Sequence, residues 1–330
     1  MPAGLPPTGS FDAMWPADKC PLTPAQLHTL RLKVLPGFRA CCQRLDLKAD
    51  LTPQLEAVYL PLAAWIHQQR HNQPLIVGIN GAQGTGKSTL SALLGVILQT
   101  GFKLRVTGFS IDDIYLRRGQ RQHLAATIHP LLATRGVPGT HDVELGIRTL
   151  RALRRASADD QIAIPAFDKA VDDRKPLSQW PLWRGEVDVI LFEGWCVGAR
   201  PQPDQALERP INDLERLEDP DGRWRRYVNE QLQGPYQSLF AMLDRLVMLK
   251  APDMECVFRW RLQQEQALAA KVTARADQPL RLMNETELRR FIQHYERLTR
   301  WMLEEMPVRA DVVLHLSQDH QFHAIEVNQD

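Results

Sequence analysis

Apolar and polar positions along the chain fall into short runs and helical spacings that take turns. Leu75 to Ile79 (LIVGI) is uncharged and β-branched, and reads as a buried parallel strand. Leu104 to Ile111 (LRVTGFSI) reads as a second strand, Gln161 to Phe167 (QIAIPAF) as a short one, and Val187 to Phe192 (VDVILF) as a central one. Leu246 to Leu249 adds another, and Val312 to Leu316 with Ala324 to Val327 close the sheet. Helical spacing fills the gaps. It begins at Ser88, covers Gln120 to Thr134 up to the stop at Gly136-Val137-Pro138-Gly139, and resumes from about Val143 to Ala156. Two later helices carry Phe258, Leu262 and Ala267, and then Leu288, Phe291, Tyr295 and Leu298 behind an Asn284 cap.

Two more helices precede the first strand. Thr23-Pro24 is a helix start whose apolar face is Leu27, Leu30, Leu35 and Phe38. Thr52-Pro53 starts the other, with Leu55, Val58, Tyr59, Leu62 and Ile66. The alternation predicts an α/β fold, a doubly wound and mainly parallel sheet with an amino-terminal helical extension. Residues 1–70 form the arm and extension, of which 1–22 are loose and rich in Pro and Gly, and 71–330 form the main domain. Pro201 to Gln233 is polar and rich in Pro, Asp and Arg, which predicts insertion and helix on the surface. There is no internal repeat.

The first strand runs into chemistry. Gly81-Ala82-Gln83-Gly84-Thr85-Gly86-Lys87-Ser88 fits G-x-x-x-x-G-K-[ST], between a strand and a helix. Glycines let backbone N–H groups close around phosphates, and the helix N-terminus adds a favourable dipole. Gly81 to Thr89 is therefore the expected ATP cradle of a P-loop NTPase-type sheet, with Lys87 on the β- and γ-phosphates and Ser88 on Mg²⁺. Glu193, in Phe192-Glu193-Gly194-Trp195, ends an apolar strand where open α/β sheets place ligands, and is expected to share the Mg²⁺. Asp112-Asp113 lies just past the second strand. Asp112 is the expected base for an attacking hydroxyl and a further Mg²⁺ contact, and Asp113 contacts metal or substrate.

Arg259 and Arg261 are candidates for stabilising the transferred phosphoryl group from a lid around 253–283, although two residues apart on a regular helix only one can face it. Asp168, Lys169 and Arg174 make a charged loop that either holds an anionic substrate or is simply solvated. His141, beside the cap-like Asp142, is either a ligand contact or a structural histidine.

Composition narrows the class. The 330 residues carry a formal net charge of +1, with 44% hydrophobic and 24% charged residues, which argues against a dedicated nucleic-acid binder. The basic run Arg148 to Arg155 is spaced as the solvated face of a helix. Cys20, Cys41, Cys42, Cys196 and Cys256 form no metal or disulfide pattern, so reduced thiols in the cytoplasm are expected. The amino-terminal stretch lacks the build of a signal peptide, and no segment approaches the ~18 apolar residues of a membrane span.

Taken in order, GINGAQGTGKST, FSIDDIYL, GVPGTHD, IPAFDK, VILFEGW and FRWRLQQE resemble the D-glycerate 3-kinase family of plants and fungi. These are P-loop kinases related to phosphoribulokinase, uridine kinase and pantothenate kinase. The resemblance covers roughly residues 55 to 320. It implies transfer of the ATP γ-phosphoryl group to the 3-hydroxyl of D-glycerate. It also places Asp112 at the base position, Tyr115 in FSIDDIYL among the substrate contacts, Arg174 near a substrate-binding arginine, and Arg259 or Arg261 in the lid. The loop FDKAVDDR departs from the family, with Phe167 where a tyrosine is expected. Rival readings are a kinase of a nucleoside, pantothenate or another hydroxy acid, and a P-loop ATPase acting as a switch with no small acceptor.

Overall fold

A six-stranded sheet forms the centre: β1 (Leu75–Gly81), β2 (Val106–Ser110), β3 (Val189–Gly194), β4 (Arg245–Lys250), β5 (Val312–Leu316) and β6 (Phe322–Val327), in the spatial order β6-β5-β4-β1-β3-β2. The structure, a computed structural model, describes residues 14–47, 49–273 and 283–328, and the side chains of 14–47, 49–266 and 283–328. Residues 1–13 of the expected loose arm, 274–282 of the expected lid, and the side chain of Ala267 lie outside the described residues. β1 to β5 are parallel; β6 is antiparallel to β5. All seven residues of β1 are buried, because it is flanked by strands and covered on both faces. β6, at the edge, buries Phe322, Ile325 and Val327 and exposes His323 and Glu326, the alternation of a half-solvated strand.

Helices α1 (Pro24–Arg44), α2 (Leu60–Gln68) and α3 (Lys87–Phe102) share one face of the sheet. Thr23 caps α1 with a full capping box, its hydroxyl accepting from Gln26 N–H. Leu30, Val34 and Phe38 of α1 are buried in the same core as Leu90, Leu94 and Val77. α2 follows a wide π-turn at Leu55–Tyr59. The start of that segment is secured by the Asp50 carboxylate accepting from Thr52 N–H at 2.9 Å, where the sequence suggests Thr52 itself. The opposite face is covered by α4 (Val143–Arg154) and the later turns of α6 (Glu285–Glu305), while α5 (Met254–Thr273) and the first turns of α6 pack into the core of the first face.

Three expectations change. The helix expected over Gln120 to Thr134 spans Arg118–Thr127, and Pro130 restarts the chain as a 3-10 turn at Pro130–Ala133. Gln161–Ala163 joins Leu182–Arg184 in a hairpin outside the main sheet, while Phe167–Asp168 pairs with Asp173–Arg174 in a second. The segment 201–233 is more deeply packed than its polarity suggests. Glu215 bonds Arg297 of α6 at 2.6 and 2.7 Å, and Asp219 pairs with Arg225 at 2.9 Å, with both carboxylates fully buried.

Candidate active site

Chain connections leave β1 toward β2 on one side, and later ones run to β4 and β5 on the other, so a crevice opens at the carboxyl ends of β1 and β3. The P-loop lies there. Gly84 (φ +84°) and Gly86 (φ +90°) adopt left-handed backbone that other residues enter only with strain. Thr85 is 2% exposed, its hydroxyl donating to the Ala82 carbonyl at 2.8 Å, and so braces the loop from within. Gly86 caps α3, which begins at Lys87.

Register sets the acids opposite. Glu193 is level with Ile79 of β1 and Ser110 of β2. Its Oε1 accepts from the Ser88 hydroxyl at 2.7 Å, while Oε2 is buried without a hydrogen-bond partner. A buried carboxylate oxygen with no donor is costly, and a hard cation with oxygen ligands suits it. Among the described residues no three His, Cys, Asp or Glu side chains converge as a metal site.

A 3-10 turn, Ile111–Ile114, fixes the aspartate pair. Ser110 Oγ accepts from Asp112 N–H, and the Asp113 carboxylate accepts from Ser110 N–H at 2.9 Å. Asp112 accepts from the Tyr115 hydroxyl at 2.8 Å and from Lys169 Nζ at 2.6 Å. Burial pushes the Asp112 carboxyl up, but Lys169, Lys87 and the Tyr115 hydroxyl together pull it down to about 2. For Asp113, burial and the neighbouring Asp112 charge outweigh its hydrogen bonds and raise it to about 6.

A single cavity of about 460 Å³ joins these pieces, within the usual size of small-molecule sites. Of the residues expected from sequence, Gln83, Gly84, Gly86, Lys87, Ser88, Thr89, Asp112, Asp113, Tyr115, Lys169, Glu193 and Arg261 line it. Gly81, Ala82 and Thr85 sit behind the loop, buried. Arg259 and Arg261 separate as helical spacing requires. Arg261 faces the cavity, paired with Glu265 at 2.8 Å, whereas Arg259 is exposed and donates to Cys256 Sγ.

His141, Asp168 and Arg174 do not line the cavity. His141 is 5% exposed, stacked on Tyr115 and bonded through Nδ1 to the Tyr236 hydroxyl, and burial lowers it to about 3, which keeps the ring neutral. Asp168 accepts from Ala170 and Val171 N–H within its own turn. Arg174 bonds the Tyr115 carbonyl and Asp142, the residue that caps α4. His141 and Arg174 therefore brace the walls, and Asp168 shapes its own turn.

Sequence reasoning missed Ser110, Arg135, Trp195, Gln264, Phe291 and Tyr295, which also line the cavity. Arg135 precedes Gly136, whose φ is +143° and where an added Cβ would lie 2.1 Å from the Tyr295 hydroxyl. That hydroxyl donates to the Arg135 carbonyl, and Trp195 Nε1 donates to the Gly136 carbonyl at 2.9 Å. The GVPGTHD motif was thus a signal for Arg135: a loop packed this tightly against two aromatic side chains presents its neighbour in a fixed place.

No family model matches the chain. It is 35% identical over 236 residues to the uncharacterized kinase mug58 of Schizosaccharomyces pombe, covering 68% of this chain and 79% of that protein. It is 30% identical over 274 residues to the chloroplastic D-glycerate 3-kinase of Arabidopsis thaliana, covering 76% of this chain and 58% of that one. The solved D-glycerate 3-kinase of Cryptococcus neoformans superposes with a TM-score of 0.69 at 25% identity, over 82% of this chain and 99% of that one.

Proposed function

The chain belongs to the D-glycerate 3-kinase family of P-loop kinases, and on that premise we propose that it transfers the γ-phosphoryl group of ATP to the 3-hydroxyl of D-glycerate, giving 3-phosphoglycerate. What carries the reading is one cavity that holds phosphate-binding and hydroxyl-activating groups together: Lys87, Ser88 and Glu193 with Asp112 and Lys169.

In this reading the P-loop amides and Lys87 hold the β- and γ-phosphates. Ser88 and Glu193 would hold Mg²⁺, which when bound neutralises charge on the phosphate oxygens. Asp112 accepts the proton of the acceptor hydroxyl. Its depressed pKa makes it a weak base, which suits a loose phosphoryl transition state where orientation of the hydroxyl matters more than early proton removal. Arg261, turning from Glu265, stabilises charge on the transferring group. Phe291 and Tyr295 of α6, with Trp195, close the apolar side and keep water from competing as acceptor. The five free cysteines support a reducing compartment, and we place the protein in the cytoplasm.

The test is an ADP-release assay with ATP and Mg²⁺ over hydroxy acids, nucleosides and pantothenate, with the product's phosphate position read by ³¹P NMR. D-Glycerate is expected to give the highest kcat/KM. A rate with glycerate no higher than the acceptor-free rate, beside robust turnover of another acceptor, overturns the substrate assignment. Acceptor-independent hydrolysis throughout overturns the kinase reading.

A further inference from the structure

Arg135 was not among the residues expected from the motifs, yet it lines the same cavity as Asp112 and Lys169. Its guanidinium lies 5.6 Å from the Phe167 ring centroid, Phe167 packs edge-on to Tyr115, and Tyr115 bonds Asp112. Arg135 and Asp112 are thus joined through two aromatic rings in the wall of one cavity. Behind it, Asp172 pairs with Arg135 through one carboxylate oxygen and with Arg121 through the other.

Arg121 is 1% exposed and also donates to the carbonyls of Leu116, Ala133 and Asp172. It is a fixed strut. One carboxylate therefore serves two guanidinium groups, and a net positive charge remains. Arg121 is sealed in the protein, so that excess is available only through Arg135, whose side chain is 28% exposed and opens on the cavity. Among the described residues its hydrogen bond is from Nη1 to Asp172, so the remaining face of the fork can meet a planar anion.

We propose that Arg135 is the anchor of a carboxylate subsite, with Lys169 as its second cation, and that this subsite selects small hydroxy acids over neutral alcohols and nucleosides. The proposal rests on the reading of the cavity as a kinase site. Lys169 is 62% exposed and holds Asp112, so an arriving carboxylate can draw the ammonium away and leave Asp112 free to receive the hydroxyl. Charge recognition and readiness of the base are then coupled. A neutral acceptor would leave Lys169 on Asp112 and the fork of Arg135 without an anion.

The experiment compares D-glycerate with its uncharged amide, glyceramide, in the wild-type protein and in Arg135→Gln and Arg135→Lys. Arg135→Gln is expected to raise KM for glycerate about 10- to 100-fold, the loss of a charge-assisted pair. KM for ATP should stay within about twofold, and glyceramide, a poor acceptor in every variant, should lose far less in kcat/KM than glycerate does. Arg135→Lys keeps a point charge without the fork and should fall between, which also keeps the test open if Arg135→Gln does not fold. Glycerate turnover with an unchanged KM in Arg135→Gln overturns the subsite and leaves the proposed function standing. Turnover of a different carboxylate acceptor, with the same rise in KM, overturns glycerate as substrate and upholds the subsite. A wild-type protein that takes only neutral acceptors overturns both.

Discussion

Asp113 is the group in the site whose charge works against the fold. Its carboxyl rises from about 3.8 to about 6, because burial and the adjacent Asp112 outweigh the hydrogen bond from Ser110 N–H. A pKa raised on folding means that the native state binds the proton more tightly than the unfolded chain. Between about pH 4 and 6 the native state holds more protons, so stability increases as pH falls through that window. At about 1.4 kcal/mol per pKa unit, ionised Asp113 costs the apo protein about 3 kcal/mol at neutral pH. Asp113→Asn removes the charge and keeps an oxygen to accept from Ser110. The variant, free of metal and nucleotide, is expected to gain about 2–3 kcal/mol at pH 7.5 and almost nothing at pH 4. Urea unfolding at pH 4, 5, 6 and 7.5 measures this. A variant that is less stable at pH 7.5, or whose gain is the same at every pH, refutes the reasoning. The same pair of pKa values separates the candidate bases. In kcat/KM, which reports the unliganded enzyme, a profile flat well below pH 6 points to Asp112, near 2, and half-loss close to pH 6 points to Asp113. In the first case Asp112→Asn loses about 10²- to 10⁴-fold in kcat with ATP affinity intact, and Asp113→Asn keeps most turnover.

Glu193→Gln should raise the Mg²⁺ concentration for half-maximal rate at least about tenfold, because it removes the charge of the carboxylate whose second oxygen is buried and unpartnered. A Mg²⁺ titration at saturating ATP reads it, and an unchanged midpoint removes Glu193 from the metal site. Arg261→Ala should lower kcat about 10²- to 10³-fold while Arg259→Ala stays within about twofold, since only Arg261 faces the cavity. Equal losses in the two variants would count against the lid assignment.

The parts of the site legible in sequence are those in which a local motif and its chemistry coincide. The P-loop needs two left-handed glycines and a lysine at the helix start, and these are adjacent in the chain. Asp112 and Glu193 end apolar strands, and a parallel sheet brings such ends together. His141 and Arg174 were harder to read: a histidine or arginine near a site carries the same letter whether it touches ligand or braces a wall. Here Tyr236 and Asp142, 95 and 32 residues away, take them. Gln161 to Phe167 reads as one short strand, but the strand ends at Ala163, paired with Leu182–Arg184, and Phe167 joins a second hairpin, a break that an apolar run does not mark.

The segment 201–233 shows why polarity misleads about depth. Charged residues read as surface, but Glu215, Asp219 and Arg225 are buried because each has its counter-charge. The pairing has a consequence for the site. Arg297, which Glu215 holds, is on the same helix as Phe291 and Tyr295, and Tyr295 in turn bonds the Arg135 carbonyl. The fixed wall of the cavity therefore extends from the insertion through α6 to the proposed carboxylate anchor. Removing one partner of a buried pair costs about 3–5 kcal/mol, so this wall resists local loosening. The α5 side differs, since Arg261, 22% exposed, pairs with buried Glu265 within its own helix rather than with a second element. Binding energy is thus best spent on moving Arg261 and Lys169, while Arg135, Asp112 and the P-loop stay where the fold has set them.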